Sequence, residues 1–259
     1  MTPPDGTQST GHPVTSETIE VLLNRRSIRK YSDKPVTDEQ AAAILEAAFR
    51  APTSSNLQAY SVVQVRDTDT KARLAEIARG QKHIIDCPLF LAFCADLTRV
   101  EAAFKKNGHD LDDNNLEMCM VSAVDAALVG MSAYLAADSL GIQGVMIGAM
   151  RNDPEAVADL LGLPSRVFVV FGMCLGYPAE APQQKPRMQQ TAIQHLERYD
   201  LEGTLAAADA YDAELKAHYD SIGKQSTDDS WSHDVDAKFS KRPRQGLREA
   251  LRKRGFDFK

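Results

Sequence analysis

Val167-Phe168-Val169-Val170-Phe171-Gly172-Met173-Cys174-Leu175 is an almost unbroken apolar run, closed by Gly176-Tyr177-Pro178. A strand with one face in water alternates apolar and polar residues. A run without that alternation belongs in the middle of a sheet covered on both sides. Its counterpart upstream is Leu116 to Leu140, where Val121, Val124, Leu128, Met131 and Leu135 recur at helical spacing and Ala, Gly and Ser fill much of the remainder. A helix apolar round most of its circumference is buried on most sides, so this segment is either the centre of a domain or part of a subunit interface. A central strand beside a long core helix predicts a mixed α/β protein built on a core sheet.

Shorter elements fall into place around these two. Ser16 can cap a helix whose stripe is Ile19, Leu22 and Leu23 and which the following arginine run closes. Thr37 and Gln40 form a capping-box pattern ahead of Ile44, Leu45 and Ala48, and Ala51-Pro52 stops that helix. Strands are expected at Tyr60 to Val65, Leu89 to Ala95 and Val145 to Ile147. Helices are expected at Lys71 to Arg79, ending at Gly80, and at Pro154 to Leu161, where the proline takes an early position it favours. From Ala179 the chain turns polar and rich in Pro and Gln. Helices follow near Thr204 to Ser221 and Gly246 to Arg254, with a polar loop, Gly223 to Ser230, between them.

The bulk properties bound the function. The 259 residues, 43% hydrophobic and 25% charged, are ordinary for a soluble globular protein. A net charge of −6 argues against a general nucleic-acid binder, whereas local basic clusters on an acidic background suit a small anionic ligand. Cys87, Cys94, Cys119 and Cys174 lie in apolar stretches with no C-x-x-C pair, as expected of buried, reduced thiols. No apolar stretch reads as long and uninterrupted enough to span a bilayer, so no membrane partner is expected. Met1 to Pro13 lacks the basic start and apolar centre of a signal peptide. Residues 1–14 read as a disordered lead-in, residues 15–259 as a single domain with a C-terminal arm over about 179–259, and the protein as cytoplasmic.

Arg25, Arg26, Ser27 and Arg29 crowd one short run with no acid before Asp33. Guanidinium forks match phosphate oxygens and a hydroxyl adds a donor, although charge runs are often only solvated faces. Lys185-Pro186-Arg187 is a second basic cluster, either a linker pair or the other half of a phosphate clamp. Ser54-Ser55-Asn56-Leu57-Gln58 is either a plain turn or a set of neutral donors for a polar heterocycle or a ribityl chain. Gln81-Lys82-His83 follows a glycine, and a lone histidine there reads first as a surface or satisfied residue. Met146-Ile147-Gly148-Ala149 closes a strand where glycine lets a ligand approach the backbone, or merely turns the chain. No metal-ligand spacing, G-x-S-x-G elbow, P-loop or G-x-G-x-x-G fingerprint is present, which moves any demanding chemistry onto a bound cofactor.

Taken in order, RRSIRKY (Arg25 to Tyr31), TSSNLQ (Thr53 to Gln58), GQKH (Gly80 to His83), GVMIGAMRN (Gly144 to Asn152), FGMCLGYP (Phe171 to Pro178) and KPR (Lys185 to Arg187) resemble the nitroreductase / flavin reductase superfamily. The class A branch, the oxygen-insensitive NADPH nitroreductases and NADPH-flavin oxidoreductases, is the most similar. The resemblance implies an α+β, nitroreductase-like fold, with a central, mainly antiparallel sheet flanked by helices. It further implies an intertwined homodimer with a C-terminal arm wrapping the partner and FMN at the dimer interface. By the same resemblance Arg25, Ser27, Arg29, Lys185 and Arg187, with Arg26 beside them, hold the FMN phosphate. Ser54, Ser55, Gln81 and His83 contact the ribityl chain or ring, and Met146, Ile147, Gly148 and Ala149 line the ring. The implied reaction is ping-pong: NADPH or NADH reduces FMN, leaves, and a nitroaromatic, quinone or free flavin is reduced in the same place.

Three departures qualify the resemblance. Arg25 stands where histidine is common, and Met146 where an aromatic is common. The stretch Ile222 to Trp231 lacks the arginines that hold the 2′-phosphate in NADPH-specific relatives and carries Asp228 and Asp229, leaving Lys224 as the nearby base. A strong NADPH preference is therefore not expected. Arg242 matches a family arginine near the nicotinamide and acceptor pocket. The alternative reading is a flavin-binding carrier of the same fold with weak reductase turnover.

Overall fold

The computed structural model describes residues 14–111, 116–224, 230–241 and 244–257. The chain divides into two compact units, Met1–Pro182 with Gly246–Lys259, and Gln183–Gln245. The second unit takes in most of the segment expected as an arm, while 246–259 belong to the first.

The first unit is organised on a sheet of β1 (Tyr60–Val65), β2 (Leu89–Asp96), β3 (Gln143–Ile147) and β4 (Val167–Gly176). Its spatial order is β1-β2-β4-β3, with every neighbouring pair antiparallel. β2 is buried along its whole length and β4 at all but Val170, as their unbroken apolar runs require. Leu89, Leu91 and Phe93, with Phe171, Met173 and Leu175, pack against α2 (Asp38–Ala48) and α6 (Leu116–Ser139). Phe90, Ala92 and Cys94, with Val167, Val169 and Cys174, meet α3 (Thr68–Ile77), α4 (His83–Asp86) and α7 (Pro154–Leu161) on the other face. The parity of β4 switches at Val170 because the register slips there: Phe93 faces Phe171 while Cys94 faces Val169. Such an irregularity re-aims every side chain beyond it, which a reading of the run alone does not reveal.

The expected caps are present. Ser16 Oγ accepts from Ile19 N at the start of α1 (Glu17–Asn24), and Thr37 and Gln40 close a reciprocal capping box on α2. Several expectations need correction. α3 begins three residues earlier than Lys71, capped by Asp67, and ends at Ile77. The short α4 and α5 (Thr98–Lys106) were not foreseen; α5 buries only Val100. β3 starts at Gln143, and the last helix of the first unit, α10, is Leu247–Lys253. α6 is also not buried all round. Leu116, Met120, Val124 and Leu128, spaced by four, form an exposed apolar stripe, with Met120 57% exposed. By length and composition this 24-residue helix could cross a bilayer, contrary to the reading of the sequence. Here its inner face packs in the core through Ala126, Val129, Ala133, Tyr134 and Ala137.

In the second unit α8 (Leu201–Ser221) buries Tyr211, Leu215 and Tyr219 against Met188 and Trp231. α9 (Trp231–Phe239), which was not foreseen, starts where Ser230 Oγ accepts from His233 N. Asp212 of α8 receives Ser232 N at 2.8 Å, fixing the two helices together. Residues 1–13, most of the expected lead-in, and 225–229 lie outside the described residues.

Candidate cofactor site

Residues 25–30 form an extended strap whose main chain is tied down at almost every step. Ile28 N donates to Gly144 O at 3.0 Å, Ala179 N donates to Lys30 O at 3.0 Å, and Tyr134 Oη donates to Arg26 O at 2.8 Å. The Glu180 carboxylate accepts from Arg29 N and Lys30 N at 2.8 and 3.2 Å. Ile28 alone turns inward, 1% exposed. The backbone groups are spent on this pairing, so what the strap offers a ligand lies in the side chains of Arg26, Ser27 and Arg29, while Arg25 is engaged with its neighbours. Arg29 is exposed and the other three are half-buried. The Arg25 guanidinium lies 5.7 Å over the Tyr134 ring. Its charge also reaches Asp138, whose carboxyl burial pushes up while Gln143 and Arg25 pull it down. Arg26 Nε is buried without a hydrogen-bond partner.

His83 opens α4 close to this strap. Burial, and after it the Arg29 charge, push its imidazole below the usual histidine range; Asp86 and Glu180 pull the other way. It is therefore neutral at neutral pH, and its Nε2 is buried with no partner. Gln81 just before it is half-buried and donates to Ala78 O at 3.1 Å, following the left-handed pair Arg79 and Gly80. At the end of β3, Met146 is exposed and Ile147 buried, and Gly148 opens a 3-10 turn with Ala149. A Cβ on Gly144 would stand 1.7 Å from Cys174 O, so only glycine lets β3 carry both its pairing with β4 and the strap.

Ser54 and Ser55 lie elsewhere, in the turn between α2 and β1. Ser54 N and Ala59 N donate to the two carboxylate oxygens of Asp125, at 3.0 and 3.1 Å. Asp125 is on α6, nine residues before Tyr134, which separates the serine turn from the strap anchor by about 13 Å along the helix axis. Sequence reasoning missed Asp125, Tyr134, Asp138 and Glu180. None has a local motif, and three of the four hold main-chain atoms that are distant in sequence.

Lys185 and Arg187 belong to the second unit. Lys185 Nζ donates to Tyr219 Oη at 2.8 Å, and Arg187 Nη1 donates to Pro186 O at 3.2 Å. Lys224 Nζ stands 3.6 Å over the Tyr219 ring. Arg242 lies outside the described residues.

The arrangement offers guanidinium and hydroxyl donors suited to a phosphate and neutral donors suited to a polyol, but it supplies no activated thiol. The four cysteines are buried and free; burial pushes Cys94 up to about 12 and Cys119 up to about 11, and raises Cys174 as well. The buried partnerless atoms of Arg26 and His83, beside the exposed Arg29, are what a cradle for an anionic, heteroatom-rich ligand contains. In that respect the residues fit FMN.

Residues 22–177 match the nitroreductase family, and residues 185–259 match the nitroreductase family C-terminal domain. The FMN reductase (NAD(P)H) of Bacillus subtilis strain 168 is 37% identical over 248 residues, which cover 93% of this chain and 98% of that protein. The oxygen-insensitive NADPH nitroreductase of Salmonella typhimurium strain LT2 is 38% identical over 242 residues, with the same coverage. The solved structure of B. megaterium NfrA2 superimposes with a TM-score of 0.89 at 36% identity, covering 95% of this chain and 100% of that one.

Proposed function

This chain belongs to the nitroreductase family, and on that premise we propose that it is an FMN-dependent NAD(P)H oxidoreductase acting on nitroaromatics, quinones or free flavins. The observation that carries the reading is the strap, a backbone held by pairing that sets Arg26, Ser27 and Arg29 beside the buried, partnerless Nε2 of His83, with Arg25 engaged on the Tyr134 ring at its start. The chemistry that FMN supplies when bound is acceptance of a hydride from the nicotinamide, then delivery of two electrons to an acceptor entering the same place.

The chain's own residues bind and orient. Arg25, Ser27 and Arg29 neutralise the phosphate through charge-assisted bonds, and Lys185 and Arg187 of the second unit are further phosphate-binding candidates by the resemblance. Ser54, Ser55 and Gln81 are neutral donors for the ribityl hydroxyls or the ring. His83, kept uncharged by burial, offers Nε2 to the same group without adding positive charge. Met146, Ile147, Gly148 and Ala149 line the ring. Lys224 and Arg242 serve the nicotinamide and acceptor pocket.

We read residues 15–259 as one functional domain working as a homodimer. Two observations support the dimer: the exposed apolar stripe on α6, and the separation of the serine turn from the strap, as expected of a site completed across two subunits. The partners are then a second copy and small-molecule acceptors, in the cytoplasm.

The test is anaerobic. Protein loaded with FMN is mixed with NADH or NADPH, and the visible flavin band is followed. Rapid bleaching is expected, with NADH serving as well as NADPH or better; a large kcat/KM advantage for NADPH would refute this. That expectation rests on the missing arginines between Ile222 and Trp231, each such charge-assisted contact being worth about 1.5–3 kcal/mol. Flavin that binds and is bleached by neither nucleotide overturns the reductase in favour of a carrier.

A further inference from the structure

The turn between α2 and β1 holds three non-glycine residues in the left-handed region: Ser55, Asn56 and Gln58, at φ of 47°, 55° and 52°. Such backbone is costly and persists only where the surroundings over-determine it. Here the surroundings act from two sides. Asp125, 1% exposed on α6, takes Ser54 N and Ala59 N on its two oxygens, bracketing the strained residues. From α5, Arg99 Nη2 donates to Gln58 O at 2.9 Å and to Tyr60 O, while its Nη1 reaches Ser61 Oγ at 3.2 Å and Asp96 Oδ2 at 3.3 Å. Asp96 is itself 4% exposed and fixed by Thr98 N at 2.9 Å and Thr98 Oγ1 at 2.6 Å.

Two side chains from different helices therefore hold the amides of residues 54 and 59 and the carbonyls of residues 58 and 60. The hydroxyls of Ser54 and Ser55 take no part. Both residues are exposed, and among the described residues neither hydroxyl makes a hydrogen bond. A turn that merely joined a helix to a strand would relax its left-handed residues or place glycine there. This one is held with its hydroxyls unspent.

We propose that Asp125 and Arg99 are positioning residues, which clamp the strained turn so that the Ser54 and Ser55 hydroxyls stand ready for the flavin; this rests on the FMN reading above. They touch neither cofactor nor substrate and act only through the backbone of the turn. Residues placed to within fractions of an ångström matter because a displacement of about 1 Å can cost about a hundredfold in rate.

The test uses two variants in the FMN-loaded protein. Asp125→Asn keeps the side chain's size but leaves one of the two amides facing an NH2 group. Arg99→Lys, at a partly exposed site, keeps the charge beside Asp96 and loses the fork that spans two carbonyls. For each, thermal stability without FMN, FMN affinity, the visible circular dichroism of bound flavin, and the rate constant for bleaching by NAD(P)H at saturating FMN are measured. The expected result is an altered visible dichroism and a rate constant lowered about tenfold or more in Asp125→Asn, with a smaller change of the same kind in Arg99→Lys. If both variants lose thermal stability alone and keep the parent's dichroism and rate constant, the clamp is structural and the proposal fails. If Asp125→Asn does not fold, Arg99→Lys decides by the same two readouts. A parent protein that neither binds FMN nor is bleached fails a step earlier, and overturns the functional reading itself.

Discussion

Arg29 divides its duties between main chain and side chain. Its amide is bound to Glu180 and helps seat the strap, while its guanidinium stays exposed and sends its charge toward His83. Arg29→Ala should therefore leave the strap folded, with stability changed by no more than about 0.5 kcal/mol, as is usual at an exposed position. It should nonetheless weaken FMN retention by about tenfold to a hundredfold, the worth of one charge-assisted phosphate contact. Flavin fluorescence during dilution reads this directly, and retention equal to the parent's removes Arg29 from the site. The arginines could be picked out from the sequence because their value lies in side-chain chemistry. Glu180 and Asp125 could not, because an acid that serves a distant amide looks in sequence like any other acid.

The elements were legible where they are buried on a regular period. β1 and α7 coincide with their expected bounds, and β2, β4 and α6 fall within a residue of theirs. What escaped notice was short or sparsely buried, as in α4, α5 and α9, or depended on pairing, as in the slip that reverses β4 at Val170. Gly144 shows how much one position in an element can carry. It pairs with Leu175 of β4 and gives its carbonyl to Ile28 of the strap. Gly144→Ala would place a Cβ against backbone that cannot move aside, at 1.7 Å from Cys174 O. A loss of about 1–3 kcal/mol or more in urea unfolding is expected, accompanied by poorer flavin retention, because opening β3 releases the strap. A variant as stable as the parent would mean that β3 can shift without cost.

For the whole molecule, the row Leu116, Met120, Val124 and Leu128 is the main claim on a partner. Beside it runs a groove of about 430 Å³, lined in part by Thr53, Ser54 and Asp125, so the face proposed for the second subunit borders the clamped turn. Met120→Asp should convert the proposed dimer to a monomer in analytical ultracentrifugation, with loss of bound flavin. An unchanged sedimentation coefficient would place the interface elsewhere. The same helix has a consequence for how such chains change length. Asp125 grips the turn and Tyr134 grips the strap, nine residues apart on one rigid rod. One inserted or deleted residue between them would swing one grip by about 100° and slide it by about 1.5 Å relative to the other. Residues 125–134 thus form a gauge: an insertion in a surface loop leaves both grips in place, whereas one inside this stretch lets only one of them keep its partner.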